Sequence, residues 1–262
     1  MAKTSSSRKG STIDQEEISH FSKDSPRWWD ENGPFAPLHR LNPVRMRYLR
    51  DQICRHYGRS ADTLKPLKDL KIVDIGCGGG LVCEPLCRMG ATVTGLDADP
   101  RAIATAQDHA SGTGLTINYC NEGTDTHKGT YDVVLALEII EHVADVDKFV
   151  DECVGLCKPD GLVIFSTLNR TPKSYALGIV AAEHILRWVP TGTHNWKKFI
   201  KPAELAGALR AAGATPLHAC GLCFHPLKNE FLLVENDLDV NYFMVARTAP
   251  KAAGKPSGKK KQ

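Results

Sequence analysis

The sequence predicts an α/β fold built on a parallel β-sheet covered on both faces. Short apolar segments alternate with helix-like segments of about a dozen residues from residue 70 onward, the rhythm of repeated strand–helix–strand units. Two of those segments, Val133-Val-Leu-Ala-Leu137 and Leu162-Val-Ile-Phe165, are apolar throughout, as strands buried on both faces require. A glycine cluster, Gly76-Cys-Gly-Gly-Gly80, follows the first strand, where open parallel sheets bind ligands.

The elements follow in order. Residues 14–30 read as a short amphipathic helix ending in Trp28-Trp29-Asp30, and Gly33-Pro-Phe-Ala-Pro37 as a connection. Asn42-Pro43 opens a second helix to about Tyr57, with proline in its first turn. Lys71–Ile75 is a strand, Leu81–Met89 a helix stopped by Gly90, and Ala91–Leu96 a strand ending at Asp97. A helix over Pro100–Ala110, strands over Leu115–Cys120 and Tyr131–Leu137, a helix over Val143–Cys157 and a strand over Gly161–Thr167 continue the alternation. The rhythm breaks for about thirty residues after position 168. A helix over Pro202–Ala212, closed by Gly213, and strands near Leu217–Leu222 and Asn241–Val245 complete it. The organisation is one domain over residues 14–248, with N-terminal helices at 14–60 and an insert at 169–200.

The tails differ from that body. Residues 1–13 hold three basic residues and 251–262 hold five, with no acid in either, and the 249–262 stretch is lysine-rich. Removing those eight charges from the net +3 leaves the body at −5. A body of that sign argues against nucleic-acid binding, and both tails read as disordered. The nine cysteines are scattered through apolar segments, the pattern of reduced, buried thiols. Cys220-Gly-Leu-Cys223 lacks a second pair at zinc spacing. With no signal peptide, no run of 18 apolar residues and no arginine-rich transit segment, a bacterial cytoplasmic setting is expected.

The glycine loop points to S-adenosylmethionine (SAM). A dinucleotide fingerprint, G-x-G-x-x-G, would need glycine at 81 or 83, where Leu81 and Cys83 stand. The spacing here is Asp74-x-Gly76-x-Gly78-x-Gly80. An acid at the strand end repels a pyrophosphate but suits a ligand with sulfonium and ammonium groups. Asp97, ending the second strand, is placed to accept hydrogen bonds from both ribose hydroxyls.

Glu138, Glu141 and His142 follow the fourth strand and would share one face of a helical turn. Two carboxylates and an imidazole could hold Mg²⁺, Zn²⁺ or Co²⁺, or His142 could act as a general base. The same residues could instead cap the next helix or touch SAM.

Arg27-Trp-Trp-Asp30, Pro37-Leu-His-Arg-Leu-Asn-Pro-Val-Arg45, Asp74–Gly80, Gly95-Leu-Asp97, Glu138–His142, Ser166-Thr-Leu-Asn-Arg170 and Gly192-Thr-His194, with Glu16–Ile18 ahead of them, together resemble the ubiquinone-biosynthesis O-methyltransferases. The resemblance runs in order from about residue 14 to 247. It implies a class I SAM-dependent methyltransferase domain, Rossmann-like, with seven strands of which the last is antiparallel. It implies SAM contacts from Arg45, Gly76, Asp97 and Leu137, with Arg45 on the methionine carboxylate. It implies methylation of a ring hydroxyl on 2-polyprenyl-6-hydroxyphenol and on 3-demethylubiquinol, and other proteins of that biosynthesis as potential partners.

A polyprenyl substrate is lipid-like, and the insert suits it. Tyr175–Val189 is a 15-residue apolar stretch, too short to span a bilayer. Lys173, Arg187, Lys197, Lys198, Tyr175, Trp188 and Trp196 surround it. Contact with a membrane surface through residues 171–200 is expected, peripheral to the cytoplasmic membrane; a lid over the active site would read alike. A methyltransferase for another small phenol or acid, an NAD-dependent dehydrogenase and a non-catalytic SAM-binding subunit are the competing readings.

Overall fold

A computed structural model describes Thr12, residues 22–177 and residues 195–251. The Glu16–Ile18 and Gly192–His194 segments, most of the insert and most of both tails lie outside the described residues.

Eight strands form one sheet in the order β3-β2-β1-β4-β5-β8-β6-β7. Strands β1 (Lys71–Ile75), β2 (Thr92–Leu96), β3 (Asn118–Cys120), β4 (Tyr131–Leu137) and β5 (Cys157–Leu168) pair in parallel. β8 (Asn241–Thr248) enters antiparallel between β5 and β6 (Ala214–His225), and β7 (Glu230–Val234) forms a hairpin with β6. Seven strands were expected and eight are present among the described residues. Strand β7 was hidden because Glu-Phe-Leu-Leu-Val reads as a short apolar run among charges. Phe231 and Leu233 pack on the core while Leu232 and Val234 stay exposed.

The order in which strands are laid down reverses about β1, while their direction stays the same. β2 and β3 lie on one side of it, β4 and β5 on the other, so the carboxyl ends of β1 and β4 open a crevice between them. Helices α1 (Ala36–His56), α2 (Cys83–Arg88), α3 (Pro100–Gly112), α4 (Val146–Leu156) and α5 (Pro202–Ala211) cover the sheet.

Neighbouring strand residues serve opposite faces. Ile72, Val133, Leu135, Leu162 and Ile164 join Leu49, Ile53 and Leu86 in one core. Val73, Val134, Val163 and Phe165 join Phe149, Val150, Leu205 and Leu209 in the other. Continuous apolar strands follow directly from this two-sided burial.

Helix α1 begins at Ala36 rather than at Asn42-Pro43. Pro37 is the first-turn proline, and Pro43 lies inside the helix. Of the helix expected over 14–30, residues 14–21 lie outside the described residues, and residues 22–30 form turns and a 3-10 turn at Ser25–Arg27 instead. Ser25 and Trp29 bond to the domain behind them, while Arg27 pairs with Asp30. All nine cysteines are free. Cys220 and Cys223 sit three apart on β6, which turns them to opposite faces and keeps them from sharing a metal. Among the described residues no helix is long and apolar enough to cross a membrane.

Candidate active site

The crevice holds a cavity of about 340 Å³ whose walls include Arg45, Asp74, Gly76, Gly78, Asp97, Leu137, Glu138, Glu141 and His142. Every predicted site residue therefore borders one space. The volume is within the range that takes small cofactors.

The glycine loop closes β1 onto β2. Gly76 and Cys77 donate their backbone N–H groups to Leu96 O at 2.8 and 3.0 Å. Gly76 has φ +73°, and a Cβ there would lie 2.9 Å from Ile139. Gly78 has φ +52°, and a Cβ there would lie 2.3 Å from the Trp28 ring. Left-handed backbone and absent side chain are both needed at these two positions.

Asp97 is held from both sides. Gly78 N–H donates to its Oδ2 and Asp99 N–H to its Oδ1, each at 2.8 Å. Burial nevertheless pushes its carboxyl up to about 6, with those hydrogen bonds opposing. Asp74 is buried behind the loop. Burial pushes it up to about 7, opposed by the Cys83 thiol at 3.4 Å from Oδ2 and by the Arg45 charge. A carboxylate with remaining lone pairs at the end of β2 can take two hydroxyl donors.

Arg45, on α1, is 5% exposed. Its Nη2 lies 4.0 Å from Glu138 Oε1, and its Nε and Nη2 have no hydrogen-bond partner among the described residues. Burial lowers its pKa, while Glu138 and Asp74 raise it; a guanidinium keeps its charge even so. Two buried acids and one unsatisfied guanidinium fit a ligand bearing cationic sulfonium, ammonium and an anionic carboxylate.

The acidic cluster departs from the expected helical turn. Glu138 follows β4 at φ +54°, and the turn over Ile140–His142 is 3-10. Glu138, Glu141 and His142 therefore do not stack at helical spacing, because Glu138 still belongs to the strand end. Glu138 Oε1 accepts from Ser166 Oγ at 2.6 Å and its Oε2 from Asn241 Nδ2 at 2.9 Å. Glu141 Oε2 accepts from Thr167 Oγ1 at 2.8 Å. Burial raises the Glu141 pKa, the Glu138 charge adds to that, and His142 opposes it. Among the described residues no three His, Cys, Asp or Glu side chains are gathered closely enough to hold a metal ion.

The segments that carry the resemblance have visible jobs. Asn42 Nδ2 donates to Leu81 O at 2.7 Å, and His39 Nε2 lies 2.8 Å from Trp28 O. Ser166 and Thr167 orient the two glutamates, and Asn169 Nδ2 donates to Leu238 O at 2.8 Å. Residues 22–30 strap the cofactor loop, a role not assigned from the sequence. Ser25 Oγ donates to Asp99 Oδ2 at 2.5 Å. Trp29 Nε1 donates to Gly79 O at 2.9 Å, and its ring stacks on His109 with centroids 3.4 Å apart. The Arg27–Asp30 motif was the only signal for that strap, since contacts across fifty residues leave no local periodicity.

Residues 45–219 match the family described as a methyltransferase domain. A ubiquinone biosynthesis O-methyltransferase from Azorhizobium caulinodans is 49% identical over 242 residues, covering 91% of this chain and 95% of that protein. One from Methylobacterium nodulans is 46% identical over 246 residues, covering 93% and 98%. The fold is also that of magnesium protoporphyrin IX methyltransferase from Synechocystis PCC 6803, a crystal structure with bound SAH. The TM-score is 0.61 at 17% identity, over 88% of this chain and 97% of that one. With the SAM-type crevice, the glycine loop and similarity over nine-tenths of its length, the chain belongs to the ubiquinone biosynthesis O-methyltransferase family.

Proposed function

We propose that the protein transfers the methyl group of SAM to a ring hydroxyl of polyprenyl phenol and quinol intermediates, at both O-methylation steps of ubiquinone biosynthesis. The observation that carries this is the shared cavity. The SAM-type residues Gly76, Asp97 and Arg45 line the same space as the acid–imidazole group Glu138, Glu141 and His142. The relatives' printed names supply the substrate class.

SAM supplies an electrophilic methyl group on a sulfonium. The protein's residues supply position and a proton acceptor. Asp97 would accept hydrogen bonds from the ribose, Arg45 would hold the methionine carboxylate, and Leu137, at the end of β4, would pack against the ligand. A phenol of pKa about 10 is a weak nucleophile at neutral pH. His142 takes the hydroxyl proton as the oxygen attacks, and the neighbouring glutamates favour the imidazolium that results. Incubation with labelled SAM and a short-chain demethylubiquinol tests the assignment: a labelled quinol methyl ether is expected, and no transfer would sink it.

A second reading gives Glu138, Glu141 and His142 to a divalent cation, Mg²⁺ first and Zn²⁺ or Co²⁺ next; because the three are not gathered at metal-holding distance in the structure, it requires them to close around the ion. It is supported by the nearness of the two carboxylates, the Glu138 charge adding to burial in raising the Glu141 pKa. Each retains lone pairs beyond its present hydrogen bonds. On this reading EDTA abolishes turnover and Mg²⁺ restores it; turnover that survives chelation leaves His142 as the base.

The same proposal includes contact with a membrane surface through residues 171–200. Tyr175 and Leu177 are about half exposed at 49% and 50%, just beyond the carboxyl end of β5, on the cavity's side of the sheet. Tyr175→Glu with Leu177→Glu is expected to reduce flotation with anionic liposomes; unchanged flotation would leave the insert a lid only.

A further inference from the structure

Trp28 is more tightly constrained than a covering side chain needs to be. Its ring stacks on Phe35 with centroids 3.8 Å apart and planes 6° from parallel. It fills the space above the cofactor loop so closely that a Cβ on Gly78 or Gly79 would come within 2.3 or 2.4 Å of it. Its backbone oxygen is tied to His39 Nε2 at 2.8 Å. Phenylalanine could do that packing. What the indole adds is one N–H, and that N–H is buried with no acceptor among the described residues. The adjacent Trp29 donates its own N–H to Gly79 O, so the strap is able to satisfy an indole when nothing else is asked of it.

Trp28 and Arg45 line the same cavity, and both present buried donors without acceptors. Buried polar groups without partners are costly and call for a partner. Apart from His142, which the proposed function commits to the substrate's proton, the other ionisable side chains named at the cavity are acids. SAM carries two cationic centres and a single anionic group, the methionine carboxylate. We infer that the Trp28 indole N–H is a second donor to that carboxylate, beside the Arg45 guanidinium. The strap thereby becomes part of the cofactor site, and it selects for ligands that keep the amino-acid tail. The inference extends the reading of Arg45 as carboxylate anchor, and the two fail separately.

Calorimetry on the full chain tests it with two ligands. S-adenosylhomocysteine has the carboxylate; 5′-methylthioadenosine has the same nucleoside without it. Trp28→Phe keeps an aromatic ring on Phe35 and removes the N–H. It is expected to weaken S-adenosylhomocysteine by about tenfold or more, the worth of a hydrogen bond to a charged group, and to leave methylthioadenosine within about twofold. Benzothienylalanine at position 28 replaces only the N–H by sulfur and should reproduce the result if phenylalanine packs poorly. Equal loss for both ligands, or loss for neither, would overturn the assignment of Trp28. The same comparison on Arg45→Met separates the residues: undiminished preference for S-adenosylhomocysteine there would remove Arg45 from the carboxylate and leave Trp28 standing.

Discussion

Asn241 donates its side-chain amide to Glu138 Oε2 at 2.9 Å, joining the first residue of β8 to the end of β4 across 103 positions of sequence. Glu138 is one of four non-glycine residues at positive φ among the described residues. Such backbone costs about 1–3 kcal/mol and persists where the surroundings over-determine it. Ser166 and Asn241 are those surroundings. Asn241→Ala is therefore expected to lower stability by about 1.5–3 kcal/mol, the worth of a hydrogen bond to a charged group. It should also lower kcat more than it raises KM for SAM. Denaturant unfolding and steady-state kinetics check the two parts; a variant with wild-type stability and kcat would show that Glu138 is held without this contact.

The cofactor-site acids give a pH signature. Asp74 and Asp97 bind protons more tightly in the folded protein, at about 7 and about 6, than the ordinary 3.8. The folded state without ligand thus takes up protons, and these two groups erode its stability as pH rises from about 4 through 6 and 7. SAM binding needs the ionised forms, so affinity is expected to fall by up to about tenfold per pH unit between pH 7 and 6 and by up to about a hundredfold per unit below pH 6, where both acids take up a proton. Thermal-shift assays should show a larger rise in Tm with SAM at pH 8 than at pH 5.5. A gain independent of pH would mean that neither acid meets the ligand's charge.

Gly78→Ala tests the loop and its roof together. The new methyl would lie 2.3 Å from Trp28 at φ +52°, so the strap must lift or the loop must shift. A loss of about 1–3 kcal/mol is expected from the backbone alone, with SAM binding reduced below detection by calorimetry. Binding within twofold of wild type would show that the strap yields freely.

Proteolysis reports the same contact. The Arg27 side chain is 56% exposed and follows Ser25, which is tied to Asp99. Trypsin cutting after Arg27 is expected to slow several-fold with S-adenosylhomocysteine present and to quicken in Ser25→Ala. Equal cleavage rates with and without ligand would show that the strap does not respond to an occupied site.

His142→Ala should lower kcat by about 10²- to 10⁴-fold, the usual worth of a general acid or base, while leaving S-adenosylhomocysteine affinity within about twofold. A small change in kcat would move the proton to another acceptor.

The central sheet was legible because burial on both faces writes itself directly into the chain. Tyr131–Leu137 has the bounds that its apolar run gives. Gly76, Asp97 and Leu137 lie at the ends of β1, β2 and β4, where their sequence positions put them. The start of α1 was misplaced because Pro37 and Pro43 carry the same first-turn signal, and only the tertiary partners of His39 and Asn42 choose between them. Glu138–His142 was read at helical spacing because nothing local reveals that Ser166, Thr167 and Asn241 will hold its acids. Ser25 and Trp29 were invisible for a similar reason: their partners, Asp99 and Gly79, are 74 and 50 positions away.

The matched methyltransferase domain begins at residue 45, yet Ser25, Trp28, Pro34, Phe35 and Leu38 all border the cofactor cavity ahead of it. The cavity proposed for the methyl donor is thus walled in part by sequence that the shared domain does not contain. On the proposed reading, donor affinity, and with it tolerance of accumulating product, becomes adjustable through that short segment while every residue of the glycine loop stays the same.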